Sequence, residues 1–187
     1  MFVWNSPRAR AAGLFFGVLV GVSACGLRRQ AAHQGAPTDG NIAAMFLAAN
    51  NTDVSYAQVA VARGRTTTPA ILAFAARMLS DHGGLNQAIM QVCASARIIP
   101  EDNIVSLDFR DESAAKRDTL RERNGAPFDS IYIANEVRYH QKLLGVIDSV
   151  LIPAARNPEL KSLLTGVRPA FAAHLEHAQR VQAGLGK

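Results

Sequence analysis

Apolar residues recur with a helical period along most of the chain. Their spacing of three and four residues predicts four long helices, and we find no convincing strand-like alternation of apolar and polar positions. The helices are expected over residues 41–64, 69–97, 127–152 and 158–183. The last three of these begin with proline in the first turn, a position that proline tolerates well. Pro169 lies inside the last helix, where it should kink the helix or remove one hydrogen bond.

The connection between the second and third long helices is too long for a simple hairpin. It covers about residues 98–126, is more polar than its surroundings and predicts one short helix over residues 113–123. A connection of this length can carry the chain back along the bundle, which would leave the second and third long helices parallel. We therefore predict an all-α fold, a ferritin-like four-helix bundle with a long crossover that contains a short extra helix.

Every long helix carries an ionisable residue on its apolar stripe. At about 100° per residue, Asp53, His82 and His174 share the apolar stripes of their helices, and Glu136 and His140 share a third. A rise of about 1.5 Å per residue from each turn places all five at nearly the same height. They are expected to converge on one layer of the bundle.

Buried charged groups are costly unless they are paired, hydrogen-bonded or bound to a metal. Two interpretations of the layer therefore stay open: a structural hydrogen-bond network supported by tyrosines, or a metal site. Glu136 and His140 are separated by one residue too many for the Glu-x-x-His motif of di-iron bundles, so zinc, copper or nickel suits the set better. The candidate metal ligands are Asp53, His82, Glu136, His140, His174 and His177, the last at the edge of its stripe.

The stretch FAARMLSDHGGLNQ, residues 74–87, raises the question of whether the second helix is broken. The apolar stripe keeps its phase on both sides of Gly83 and Gly84, so we expect one continuous helix. Asp81 is expected at the flank of that helix, about 100° from His82. The glycines are expected to let a neighbouring helix or side chain approach closely.

The N-terminus has the features of a secretory signal. Residues 1–24 contain two arginines and no acid. Within this segment, the arginines are followed by a 12-residue apolar stretch that is too short to span a membrane. Val22, Ser23, Ala24 and Cys25 resemble the lipobox of bacterial lipoproteins, which implies cleavage before Cys25 and lipid on its sulfur. The alternative is an ordinary signal followed by a chance cysteine. Because Gly26 is not acidic, the resemblance implies an outer-membrane protein facing the periplasm.

Charge and cysteine content limit the classes of protein to which the chain can belong. Removal of residues 1–24 with two arginines lowers the formal net charge from +5 to +3, which does not indicate nucleic-acid binding. With Cys25 lipidated, Cys93 is the only thiol left, so an intramolecular disulfide is excluded. Residues 25–39 have no apolar period and are expected to form a flexible tether, and residues 40–187 the bundle.

Three segments resemble the bacterial DUF4142 family of exported ferritin-like proteins. They are FAARMLSDH at 74–82, PFDSIYIANEVRYHQKLL at 127–144 and NPELKSLLTGVRPAFAAHLEHAQ at 157–179. The resemblance covers about residues 41–183 and implies the bundle and the core histidines His82, His140 and His174. It implies no activity. The chain has Gly83-Gly84 where many relatives carry a small polar residue, and it lacks the glutamate that many carry near Asp53.

No nucleophile paired with a base, phosphate-cradling loop or exposed catalytic pair stands out in the sequence. We therefore expect a lipid-anchored envelope protein that is not an enzyme, either structural or partner-binding. The alternative is a metal-binding, redox-active bundle protein that uses the buried layer. The sequence does not identify a cofactor beyond a transition metal or none, and it names no protein partner.

Overall fold

The described part of the chain is helical from end to end. The computed structural model describes residues 35–185, so the predicted signal, Cys25 and most of the predicted tether lie outside the described residues. Residues 35–185 contain no strand, and no helix among them is both long and apolar enough to cross a membrane. The predicted all-α bundle is confirmed. Its helices are α1 Asp39–Val61, α2 Pro69–Ala96, α3 Ile104–Arg121, α4 Gly125–Val146 and α5 Pro158–Gly184.

Hydrogen bonds at one end of the bundle join the starts of α1 and α5 to the end of α2. The Asp39 carboxylate accepts the backbone N–H groups of Arg156 at 2.8 Å and Asn157 at 3.0 Å, immediately before α5. Just after α2, Glu101 donates its backbone N–H to the carbonyl of Gly40 at 3.0 Å. α1 and α5 therefore run in one direction and α2 runs in the opposite one.

At the other end, α4 starts beside the turn between α1 and α2. Gly125 donates its backbone N–H to the carbonyl of Arg65 at 2.7 Å, and the Arg65 guanidinium also donates to the backbone carbonyl of Arg123. α3 has carried the chain back along the bundle, so α2 and α4 are parallel. This is the four-helix arrangement with one long crossover that the sequence predicted.

The crossover helix α3 is longer than predicted, because it begins at Ile104 and not near residue 113. A reciprocal cap fixes its start. The Asn103 side chain accepts the backbone N–H of Ser106 at 3.0 Å, and the Ser106 hydroxyl accepts the backbone N–H of Asn103 at 3.0 Å. This cap satisfies backbone donors that the first turn of a helix leaves without partners.

Small polar groups hold α3 against α1. This explains why no apolar stripe predicted the first half of α3. The Thr52 hydroxyl donates to the backbone carbonyl of Phe109 at 3.2 Å, and the hydroxyls of Ser55 and Ser113 are 2.9 Å apart. Phe109 is buried between these contacts. A helix held in this way lacks the apolar periodicity that a sequence reading detects.

Two proline-containing segments near the C-terminus stay helical. After α4 the backbone continues as a π-helical turn, Ile147–Leu151, and a short α-helical segment, Ile152–Ala154. α5 then runs through Pro169 without interruption, so the missing backbone donor of this proline does not end the helix.

Gly83 and Gly84 do not bring neighbours into close contact, contrary to the prediction. α2 is continuous across them, and a Cβ added at either position meets no atom within 4 Å. Gly40 is different, because a Cβ there would lie 2.5 Å from the backbone carbonyl oxygen of Ile99. The close approach therefore occurs at the start of α1 and not in the middle of α2.

We expect Gly83→Ala and Gly84→Ala each to raise the free energy of unfolding by about 0.5–1 kcal/mol, since alanine favours the helix and fits the open space. Gly40→Ala, the matched control, should lower it because its Cβ collides with the Ile99 carbonyl. Urea denaturation of the three variants measures both signs. Destabilisation by both alanines in α2 would contradict the open space at these positions.

Candidate metal centre

Five ionisable side chains from four helices meet in the middle of the bundle. Asp53 comes from α1, His82 from α2, Glu136 and His140 from α4, and His174 from α5. All five residues are at most 1% exposed. The sequence placed these residues on inward faces, and the structure brings them to one layer.

The Asp53 carboxylate lies at the centre of this layer. Its Oδ2 atom is 3.1 Å from His82 Nε2 and 3.2 Å from His140 Nε2. Neither contact has the alignment of a hydrogen bond, and both imidazole nitrogens and both Asp53 oxygens remain without a hydrogen-bond partner. One carboxylate oxygen is therefore shared between two imidazoles with no proton directed along either contact.

In each of the three histidines, the ring nitrogen that faces away from the layer lies within hydrogen-bond distance of an acceptor. His82 Nδ1 is 2.8 Å from the Asn50 amide oxygen, and His140 Nδ1 is 3.0 Å from the backbone carbonyl of Glu136. His174 Nε2 is 2.8 Å from Asp81 Oδ2. Because an imidazole with a proton on one nitrogen has a lone pair on the other, these contacts direct three lone pairs into the layer.

The inward atoms fall into two overlapping groups of metal-ligand spacing. One atom each from His82, His140 and His174 lie within 4.8 Å of one another, and so do one atom each from Asp53, Glu136 and His140. His140 belongs to both groups. Orientation of ligating histidines by outer hydrogen bonds is a general feature of protein metal sites.

The pKa values of the two buried carboxyl groups shift in opposite directions. Burial by itself raises the pKa of Asp53, but the nearby His82 and His140 more than offset this effect and the pKa is lowered. Burial, together with the charge of Asp53, holds the pKa of Glu136 well above its ordinary value. The metal-free layer thus favours one ionised and one protonated carboxyl group.

His140 and His174 favour the neutral form. Burial lowers the pKa of His140, although the charge of Asp53 opposes the shift. Burial also lowers the pKa of His174 to about 4, although the hydrogen bond that its ring donates to Asp81 opposes the shift. Neutral imidazole is the form that binds metal ions.

Aromatic rings close the layer. Phe171 lies 5.2 Å from the His82 ring between centroids, and Phe74 and Tyr139 lie 6.5 and 6.0 Å from the His140 ring. These rings contribute apolar surface around the polar atoms. A low local polarity strengthens electrostatic attraction to any cation held there.

His177 occupies a different position from the other predicted ligands. It is partly buried, its ring packs against Phe74 with centroids 5.1 Å apart, and it belongs to neither ligand group. The sequence placed it at the edge of the stripe, and one helical turn beyond His174 is enough to move it out of the layer.

Sequence reasoning missed the residues that orient the histidines. Asn50 lies three residues before Asp53 on the same face of α1, a spacing that could have identified it. Asp81 does lie at the flank of α2, as expected, but it also reaches across to His174 and receives the Arg77 guanidinium at 3.1 Å. No sequence signal connects Asp81 to a histidine 93 positions later.

The layer does not fit the di-iron site of ferritin-like bundles. Such sites use a glutamate from each of two helices and a Glu-x-x-His pair from each of the other two. The layer has one aspartate and one glutamate, and Glu136 and His140 are four positions apart. Three histidines and two carboxylates suit a single ion better than two irons.

A protein-family model matches most of the chain. The model for a domain of unknown function, DUF4142, matches residues 26–181. The chain belongs to the DUF4142 family. Comparisons of this DUF4142 protein with curated proteins and with solved structures give no match. The family resemblance seen in the sequence is confirmed, and the family description assigns no activity.

We expect Glu136→Gln to stabilise the metal-free DUF4142 protein at neutral pH. The unfolded chain ionises Glu136 near the ordinary pKa of 4.5, whereas the folded state favours its protonated form. The stability from this group is therefore fully present below about pH 4.5 and is lost as the pH rises toward the raised folded pKa. The amide needs no proton, so the gain should be on the order of 1 kcal/mol at pH 7 and small at pH 4.5.

Denaturant unfolding in the presence of a chelator, at both pH values, measures this difference. Glu176→Gln, at an exposed glutamate of α5, is the matched control and should leave the pH dependence unchanged. An equal effect of Glu136→Gln at the two pH values would contradict the raised pKa.

Proposed function

We propose that this DUF4142 protein binds one divalent transition-metal ion in the buried layer. The ligands come from two groups that share His140: His82, His140 and His174, and Asp53, Glu136 and His140. The observation that carries the proposal is the set of inward nitrogen lone pairs that face carboxylate oxygens with no hydrogen bond between them. Two acceptors at 3.1 Å repel each other unless a proton or a cation lies between or beside them.

The charges of the layer support a divalent ion. With both carboxyl groups ionised and the three imidazoles neutral, the five side chains carry two negative charges. A divalent cation makes the buried set neutral, which removes most of the cost of burying the carboxylates. Binding of the ion also replaces the proton that Glu136 favours in the metal-free protein.

The donor atoms favour late first-row metals. Imidazole suits zinc, copper and nickel, and carboxylates are compatible with each of them in mixed sites. Complete burial of the five residues suits an ion that is stored or structural better than one that turns over a substrate. The proposal therefore keeps the expectation that the protein is not an enzyme.

The alternative is a hydrogen-bond network without a metal. It requires the Asn50 amide to turn over and donate to His82, so that His82 Nε2 carries the proton and faces Asp53. In the observed arrangement the Asn50 amide nitrogen is buried without an acceptor. Turning the amide over would give this nitrogen an acceptor on His82. The inward Nδ1 of His174 and both Glu136 oxygens also lack hydrogen-bond partners, and turning this amide does not supply one.

For the metal site, we expect protein refolded with zinc, copper or nickel to retain about one ion per chain after dialysis for at least one of these metals. Elemental analysis measures the ratio, and the metal should raise the thermal midpoint because it binds only the folded state. The His82→Ala, His140→Ala double variant should lose the ion. His177→Ala is the matched control, because it removes a histidine of α5 that lies outside both ligand groups.

Two results would contradict the metal site. One is a protein that stays metal-free with every metal tested. The other is loss of the ion in His177→Ala together with its retention in the double variant.

We also propose that the mature protein is anchored in the cell envelope through lipid on Cys25, with the bundle on the periplasmic side of the outer membrane. The lipobox-like residues 22–25 and the short apolar stretch before them support this location. More than one acyl chain gives stable anchoring, whereas a single chain would be marginal. The tether of residues 26–38 would let the bundle stand off the membrane surface.

For the anchor, we expect Cys25→Ser to abolish incorporation of labelled palmitate and to move the protein from the membrane fraction to the soluble fraction. Cys93→Ser, at the buried thiol of α2, is the matched control and should leave both unchanged. Unchanged labelling of Cys25→Ser would sink the lipoprotein assignment.

A further inference from the structure

A cleft on the side of the bundle lies between α1, the crossover α3 and α4. Its volume is about 420 Å³, within the range of small-molecule sites. Tyr56 and Tyr139 form part of its wall and pack edge to face, with ring centroids 5.7 Å apart. The metal ligands do not line this cleft.

The cleft carries an excess of positive charge. Lys116 from α3 and Arg138 and Lys142 from α4 line it, and Glu112 is the one acidic residue among the lining side chains. Glu112 is already paired with Lys142. Within residues 35–185, neither Lys116 nor Arg138 has a carboxylate within ion-pair distance. Two cations on facing helices are thus available to an anion.

Asn135 is a further lining residue of the same cleft. Asn135 is 6% exposed, and its Nδ2 atom is buried without an acceptor in the described residues. An unsatisfied buried amide N–H has a free-energy cost that is removed when a ligand supplies the acceptor. Arg138 lies one helical turn after Asn135, so the two donors lie near each other on α4.

We infer that this cleft binds a small organic anion with a carboxylate or phosphate group and a flat body. The anionic group is bound by Lys116, Arg138 and the Asn135 amide, and the flat body packs on Tyr56 and Tyr139. Guanidinium and amide donors match the oxygen geometry of both groups. The cleft is separate from the proposed metal centre, and Tyr139 connects them only by packing on His140.

The test uses chelator-treated protein without residues 1–24, so that its outcome is independent of metal binding and of the anchor. Phenyl phosphate, benzoate, inorganic phosphate and the neutral benzyl alcohol are titrated separately up to millimolar concentrations. Amide chemical shifts by NMR give the site and the dissociation constant. We expect phenyl phosphate or benzoate to shift the Asn135 side-chain signals, and benzyl alcohol to leave them unchanged.

Substitutions of the two lysine and arginine cations then test their roles. Lys116→Gln and Arg138→Gln should each weaken binding of the aromatic anion by roughly tenfold, the loss expected when a charge-assisted hydrogen bond is removed. Lys161→Gln removes one positive charge from an exposed position on α5 and should leave the affinity within a factor of two. Thermal midpoints confirm that each variant folds.

The relative affinities decide the ligand class. Tighter binding of phenyl phosphate assigns the cleft to phosphate esters, and tighter binding of benzoate assigns it to carboxylates. Binding of inorganic phosphate as tight as that of phenyl phosphate would overturn the role of the tyrosines. Absence of shifts with both aromatic anions, or equal affinity in Lys116→Gln, Arg138→Gln and Lys161→Gln, would overturn the anion site.

Discussion

The rest of the core is arranged around the buried carboxylate of Asp53. It lies on α1 with no exposure, and its Oδ2 atom contacts an imidazole from α2 and another from α4. A carboxylate in such a place is stable only if positive charge or donors surround it. His82 and His140 lower the pKa of this carboxyl group, but their N–H groups are directed outward and donate no hydrogen bond to it. The cation that we propose for the layer would neutralise the carboxylate and would bind the inward-facing nitrogens.

The crossover makes this convergence geometrically feasible. Because α3 returns the chain to the end where α2 began, α4 enters the bundle at the same level as α2. His82 is 13 residues after Pro69 and His140 is 15 residues after Gly125, so the two histidines reach nearly the same depth. A direct hairpin after α2 would have reversed α4 and changed the level of Glu136 and His140 relative to Asp53. The same helix α3 forms one wall of the cationic cleft, so the crossover positions both candidate sites.

Some structural features could be predicted from the sequence and others could not. The apolar stripe of Ile71, Met78 and Ile89 correctly predicted that His82 faces the core and that the helix continues through the two glycines. This prediction succeeds because helical phase is a local property. The start of α3 was missed because its cap, Asn103 with Ser106, precedes a segment that contacts α1 through hydroxyl groups. The role proposed for Gly83 and Gly84 was wrong for a related reason, since whether a neighbour approaches a glycine depends on the packing of other helices. The pairings of Asp81 with His174 and of Asn50 with His82 depend on that packing too.

The sequence by itself determined the helices, the inward face of each and the set of ionisable residues on those faces, because a period of 3.6 residues and the cost of burying apolar surface in water act within each segment. It also indicated the DUF4142 family, and the family model over residues 26–181 confirms this membership. Only the tertiary structure decided which nitrogen of each histidine faces the centre, that His177 stays outside, and that Asn135 lies unsatisfied beside two cations. The orientations of His82 and His174 depend on contacts between residues 32 and 93 positions apart, and no local pattern in the chain encodes the relative rotation of two helices.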